Sequence, residues 1–127
     1  MEKVVILGGG FAGLAAAKYL QSYTDELKIL IIDRLKANHF RPLLPDMIDH
    51  KLSPEAVCYP LKSAHQTSGC RVLHQNAKEV DLDNQTVKTE ARDITYDYLL
   101  LACGMITNFH NIDSARRHAF PFRNASH

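Results

Sequence analysis

The sequence predicts an α/β fold organised around a parallel sheet, and three stretches of the chain predict it. The apolar run Val4-Val5-Ile6-Leu7 leads straight into glycines at 8, 10 and 13, and then into the Ala-rich stretch from Leu14 to Leu20. A second apolar run, Lys28-Ile29-Leu30-Ile31-Ile32-Asp33, closes on a carboxylate twenty residues after Gly13. A third, Tyr98-Leu99-Leu100-Leu101-Ala102-Cys103-Gly104, carries no polar alternation, which is the pattern of a central parallel strand covered on both faces.

The first unit is strand, glycine turn and helix in that order. The context turns a weak G-x-G-x-x-G pattern into a specific one. In this arrangement Gly8 allows the tight turn, Gly10 lets a pyrophosphate approach the backbone, and Gly13 lets helix and strand pack closely. The free N–H groups and the positive dipole end of the helix then face the phosphates. At the end of the second strand, the Asp33 carboxylate is positioned to accept hydrogen bonds from an adenosine ribose, each worth about 1.5–3 kcal/mol because the acceptor is charged. The same charge repels a 2′-phosphate and so disfavours a nucleotide of the NADP type. The expectation is a Rossmann-like dinucleotide site.

After Asp33 the periodicity disappears until about residue 53. Pro42 and Pro45 bound an aromatic and leucine-rich segment, Asn38 to Pro45, expected as an apolar loop that folds back over something apolar or under a partner domain. Ser53-Pro54-Glu55 reads as a helix start, with Ser53 as the cap and Pro54 at the first helical position. Pro60 then restarts a second helix to about Gln66. Arg71 to Gln75 reads as a third strand. Glu79 to Asp83, the turn pair Asn84-Gln85 and Thr86 to Thr89 alternate as an antiparallel hairpin with one wet face, and Ile94-Thr95-Tyr96 extends it to a β-meander. The small residues that end the Tyr98–Gly104 run leave room for a ligand at the carboxyl end of the sheet.

Composition narrows the function classes. A chain of 127 residues with 46% hydrophobic residues and a net charge of +1 is one domain's worth of ordinary globular sequence. The fifteen basic residues are scattered, and Arg116-Arg117-His118 reads as a solvated surface, so no nucleic-acid partner is expected. Three cysteines without C-x-x-C spacing suit free thiols in a reducing, cytoplasmic compartment. Seven histidines without metal-ligand spacing argue no metal site. Lys3, the apolar run and Ala15-Ala16-Ala17 imitate a signal peptide, but glycines interrupt the would-be apolar core. No stretch is long and apolar enough to span a bilayer.

The glycine run, Ile32-Asp33-Arg34, Phe40-x-Pro42-Leu43-Leu44, Leu52-Ser53-Pro54, Tyr59-Pro60-Leu61 and Tyr96 to Gly104 together resemble the N-terminal part of type II NADH dehydrogenases. These flavoproteins of the two-dinucleotide-binding-domain superfamily pass electrons from NADH through FAD to a quinone. The resemblance spans the chain from residue 4 to near its C-terminus and about the first third of such a protein. It implies that Gly8, Gly10, Phe11, Ala12 and Gly13 lie against the FAD pyrophosphate, and that Asp33 and Arg34 hold the adenosine ribose. It further implies Pro42, Leu43 and Leu44 near the flavin, Ala77 against adenine through its backbone, and Ala102, Cys103 and Gly104 as a wall on the adenosine side. Two departures stand out: Cys103 replaces the family's usual Thr, and Pro45-Asp46-Met47 replaces its Tyr-Gln-Val.

The resemblance also implies parts that this sequence lacks. Family members carry a second glycine fingerprint for NADH, a Gly-Asp segment for the ribityl chain and a membrane-contacting C-terminal segment. After Gly13 only Gly69 and Gly104 remain, so the chain reads as one truncated domain, residues 1–127, of a longer enzyme that is peripheral on the membrane. Alone it is expected to be inactive, to bind FAD, and to form a homodimer through apolar surface left by the missing domain, with Phe40, Leu43 and Leu44 exposed. NADH and quinone are partners of the full-length protein only. No residue carries a catalytic role, because the flavin supplies the redox chemistry; Cys103 reads as a small buried wall residue. The alternatives are a fragment like sulfide:quinone reductase, a non-catalytic dinucleotide-binding module, and a degenerate fragment that merely folds. Dithiol chemistry of the disulfide reductases is excluded, since no cysteine occurs before Cys58.

Overall fold

The computed structural model describes residues 1–23, 25–63 and 70–123. In chain order the strands are β1 (Glu2–Leu7), β2 (Leu27–Asp33), β3 (Ala37–His39), β4 (Cys58–Pro60), β5 (Arg71–His74), β6 (Ala77–Asp81), β7 (Thr86–Thr89), β8 (Asp93–Thr95) and β9 (Tyr98–Leu101). The α-helices that lie wholly within the described residues are α1 (Phe11–Leu20), α2 (Leu44–Ile48) and α3 (Asp113–His118). The chain divides into two compact units, Met1–Asn38 with Pro60–Cys103, and His39–Tyr59 with Gly104–His127.

The first unit is built on a four-stranded sheet in the order β5-β2-β1-β9, with every neighbouring pair parallel. Side chains alternate between the faces of a strand, so a strand apolar at every position can bury both. β1 does so. Val4 and Ile6 join Ile29, Ile31, Ala17 and Cys70 in one core, against which Leu14, Ala16 and Leu20 of α1 pack. Val5 and Leu7 join Ile32 with Val87, Ile94 and Tyr96 of the meander region in the other. Val5 and Ile6 have no exposed surface at all, and each such aliphatic side chain contributes about 1.5–3 kcal/mol by leaving water.

The meander is the expected one, with antiparallel order β6-β7-β8. Its first strand begins at Ala77, earlier than the alternation suggests, with a bulge between Ala77 and Glu79. The Asp81 carboxylate shapes the turn, accepting the backbone N–H of Asn84 at 2.9 Å and its side-chain amide at 2.8 Å.

Three expectations need correction. The Tyr98 to Gly104 run is not a central strand: β9 spans Tyr98–Leu101 and lies at the sheet edge. Tyr98 and Leu101 are accordingly 54% and 66% exposed. The segment from Asn38 to Pro45 is not a loop. It contains the end of β3, a 3-10 turn over Arg41–Leu43 and the start of α2. Each proline occupies the first turn of a short helix, where its fixed φ helps and its missing N–H costs nothing. Leu44 is buried and Leu43 half-buried, so of the apolar trio only Phe40 is exposed. Finally, Ser53-Pro54-Glu55 opens a single 3-10 turn, Pro54–Val57, which gives way to β4 rather than to a helix. Residues 61–63 are helical after Pro60, and the remainder of that expected helix, to Gln66, lies outside the described residues.

In the second unit Phe40 donates its backbone N–H to the Val57 carbonyl at 2.7 Å, which ties the two ends of the His39–Tyr59 segment together. Arg116, Arg117 and His118 lie exposed in the last turn of α3, where the two guanidinium groups complement the helix dipole.

Candidate functional site: the glycine turn at the carboxyl end of the sheet

The turn between β1 and α1 stands where the chain order reverses: β2 and β5 lie to one side of β1, and β9 to the other. In open α/β sheets such a switch point, at the carboxyl ends of the strands, forms a ligand crevice. The ends are in register there, with Leu7 beside Ile32 and Leu101. Two backbone bonds fasten the turn to its neighbours. Gly8 donates its N–H to the Ile32 carbonyl at 2.9 Å, and Ala102 donates its own to the Leu7 carbonyl at 2.8 Å.

Each glycine of the turn has a separate reason. Gly8 has φ of +106°, and a Cβ there would collide with the Ala102 carbonyl and lie 3.1 Å from Cys103 Cα. Both the turn and the approach of the chain after β9 therefore require glycine. A Cβ on Gly13 would strike the Gly8 carbonyl oxygen and sit 3.3 Å from Ile6 Cγ2, which fixes how closely α1 lies on β1. A Cβ on Gly9 would fall 2.7 Å from Leu61 Cδ1 and 3.3 Å from Asp33 Oδ2. Gly10 differs. It has an ordinary extended φ of −77° as the N-cap of α1, and nothing lies within 4 Å of where its Cβ would be.

Asp33 faces this turn. Its Oδ2 accepts the Gly9 N–H at 2.6 Å, and its Oδ1 accepts the Leu35 N–H at 2.7 Å. Two charge-assisted bonds hold the carboxylate in one orientation, and a carboxylate has about four lone-pair sites, so acceptor capacity remains. Its backbone carbonyl accepts from Gln75, which joins the end of β2 to the end of β5. Arg34, next along, is exposed.

The α1 N-terminus carries no side-chain cap, and Phe11 and Ala12 are exposed in its first turn. Helix starts with uncapped N–H groups are sites where anions settle. Gly8, Gly10, Phe11, Ala12, Gly13, Asp33, Ala102 and Cys103 thus gather around one junction of the first unit. Ala77 is half-buried at the start of β6 and packs against the core that the sheet shares with the meander. Pro42, Leu43, Leu44 and Gly104 belong to the second unit. Cys103 is not the buried wall residue expected: it is exposed, with its thiol 3.6 Å from the Leu7 carbonyl.

Sequence reasoning missed two contributors. Leu61 is fully buried over Gly9, and the Asp33–Gly9 bond crosses twenty-four residues. The Tyr59-Pro60-Leu61 segment was a signal for the first; local pattern carries none for the second.

Fold and turn together define a Rossmann-like α/β unit. The family of pyridine nucleotide-disulphide oxidoreductases matches residues 2–126, and the chain belongs to that family. It is 27% identical over 125 residues to a type II NADH:quinone oxidoreductase of Staphylococcus aureus, covering 97% of this chain and 31% of that protein. The chain therefore spans about a third of the length of the curated relatives it matches. Among solved structures, the sulfide:quinone oxidoreductase of Aquifex aeolicus superposes with a TM-score of 0.80 at 30% identity, over 86% of this chain and 26% of that one. The NDH2 of Plasmodium falciparum, solved in complex with NADH, superposes with a TM-score of 0.84 at 23% identity, over 98% of this chain and 26% of that one, which speaks to the fold. The type II NADH dehydrogenase resemblance carried by the motifs agrees with these relatives. No helix among the described residues is long and apolar enough to cross a membrane.

Proposed function

We propose that this chain is the FAD-holding N-terminal part of an NADH:quinone oxidoreductase, with the adenosine diphosphate half of FAD seated on the β1–α1 turn. One observation carries the reading. Of the five described glycines, Gly10 alone has neither a positive φ nor a neighbour that would meet a side chain. The fold does not need glycine there, whereas a diphosphate drawn against the backbone does. The residues present fit the group.

In this reading the backbone amides at Gly10, Phe11 and Ala12 receive the diphosphate, aided by the helix dipole. Asp33, held by Gly9 and Leu35, offers its remaining lone pairs to the ribose hydroxyls and turns away a 2′-phosphate. Arg34 flanks the ribose, Ala77 offers backbone to adenine, and Ala102 and Cys103 wall the adenosine side. Pro42, Leu43, Leu44 and Gly104 are assigned to the cofactor by family resemblance. When bound, FAD supplies the electron-transfer chemistry, and the protein supplies position and exclusion of water. NADH and quinone are substrates of the longer protein, which is peripheral on a membrane.

The test is direct. Flavin fluorescence should fall and its anisotropy rise, saturably, when FAD is titrated with purified chain, and NADP should compete at least about tenfold more weakly than NAD. NADP competing as well as NAD would contradict the role of Asp33. The 30% identity to a sulfide:quinone oxidoreductase supports a second reading, a fragment of that enzyme type, with the same FAD site. Reading the coding sequence beyond His127 separates the two: a cysteine set placed for sulfide chemistry favours the second. Edge strand β9, with Tyr98, Leu100 and Leu101 exposed, supports a homodimer of the isolated chain. A monomer at all concentrations in sedimentation would contradict that.

A further inference from the structure

The opposite end of the parallel sheet carries a cleft that the glycine turn does not involve. It encloses about 580 Å³ near the amino ends of β1, β2 and β5, with the β7–β8 turn and β8 of the meander forming its other wall. This is the size of a small-ligand site.

Register explains its character. Lys3 lies beside Lys28 on the neighbouring parallel strand, and Arg71 lies beside Leu30. Alternation puts Lys3 on the face of β1 that carries Val5 and Leu7, and puts Lys28 on the face of β2 that carries Leu30. Leu30, like Val5 and Leu7, packs into the core shared with the meander. Lys3, Lys28 and Arg71 therefore share the face that turns toward the meander, at the end where the apolar core stops. Arg92, in the β7–β8 turn, adds a fourth cation from the facing wall, and Asp93 is the one carboxylate in the lining. Lys3 Nζ donates to Thr95 Oγ1 at 3.2 Å, which anchors it to that wall. Among the described residues Lys28, Arg71 and Arg92 make no ion pair. Buried Ile94 and half-buried Leu30 form an apolar floor.

Like charges on adjacent strands oppose each other, and a cleft lined mainly by one sign concentrates the field in its mouth. Four cations converging from two walls, with one carboxylate among them, suit a compact multiply charged anion. Phosphate groups match this set best, since Arg and Lys bind them through charge-assisted hydrogen bonds. We propose that this cleft binds a small multiply phosphorylated anion, at a second site at the far end of the sheet from the glycine turn.

Inorganic triphosphate is the probe, titrated into ¹⁵N-labelled chain at 100 mM salt and followed by amide shifts. Expected are saturable shifts at Lys3, Lys28, Arg71 and Arg92. The double variant Lys28→Gln/Arg71→Gln should weaken the fitted affinity by at least about tenfold. These side chains are exposed, so the variant keeps its fold, which unchanged shifts elsewhere establish. Gly10→Val should leave the titration at this end unaltered, so failure of the FAD reading and failure of this one are distinguishable. Shifts confined to residues 8–13, shifts that never saturate, or an affinity indifferent to the double variant would overturn the proposal.

Discussion

Replacing Gly13 by alanine sets two known effects against each other, and the structure decides between them. In an exposed helix the change stabilises by about 0.8–1 kcal/mol through helix propensity. At this position the new methyl meets the Gly8 carbonyl oxygen, a backbone atom fixed by the turn, and lies 3.0 Å from its carbon. Only a shift of α1 away from β1 relieves the contact, and that shift loosens Leu14 and Ala17 from the core they share with Ile6. Overpacking of this kind costs about 1–3 kcal/mol, and the rigid obstacle favours the upper part of the range. The net expectation is a loss of about 1–2 kcal/mol, or a melting temperature lower by about 3–8 °C for a domain of this size. Circular dichroism melts of the parent and Gly13→Ala, with Gly10→Ala as the comparison, measure it. Gly10→Ala should melt only about 2–4 °C below the parent, because its methyl enters open space and the loss is confined to the N-cap preference for Gly over Ala, about 0.5–1 kcal/mol. A Gly13→Ala protein as stable as the parent, or more so, would refute the packing argument.

Asp33→Ala removes the acceptor of two backbone N–H groups, one on buried Gly9, and should cost about 1–3 kcal/mol in urea unfolding while weakening FAD uptake; unchanged stability would mean the two bonds carry no weight. The Asp81 carboxyl sits below the ordinary aspartate value, first because the Asn84 side chain donates to it and then because the Asn84 backbone does. Its folded form thus prefers the charged state, so the turn's stabilisation is complete above the ordinary value and is lost as pH falls through the lower, folded one. An NMR titration should show the Asp81 midpoint below the ordinary value, and a midpoint above it would contradict the hydrogen bonds. Thiol reagents should modify exposed Cys103 first and buried Cys70 only on unfolding; equal rates would show that the sheet does not cover Cys70.

Much of the first unit was legible because its signals are local. β1, the glycine turn and β2 each follow from a few adjacent residues whose burial, φ or charge has one reading. The meander was legible for the same reason, through alternation around Asn84-Gln85. Where sequence reading went astray, the deciding information lay elsewhere. Pro42 and Pro45 suggest the bounds of a loop because nothing nearby shows that each sits in the first turn of a short helix. The composition of β9 shows apolar faces but not which strands flank it, and strand order follows from the topology of the whole sheet. The Asp33–Gly9 bond exists because β1 and β2 are neighbours, so the acid positions the turn as well as facing a ribose. The exposure of Cys103 follows from the same edge placement that exposes Leu101.

Whether the open space at Gly10 exists for a diphosphate is decided by one paired measurement. FAD affinity by flavin fluorescence and melting temperature by calorimetry are taken on the parent chain and on Gly10→Val. The valine protein should keep its fold, melting within a few degrees of the parent, yet no longer take up FAD. A well-folded Gly10→Val chain that binds FAD as the parent does would contradict it.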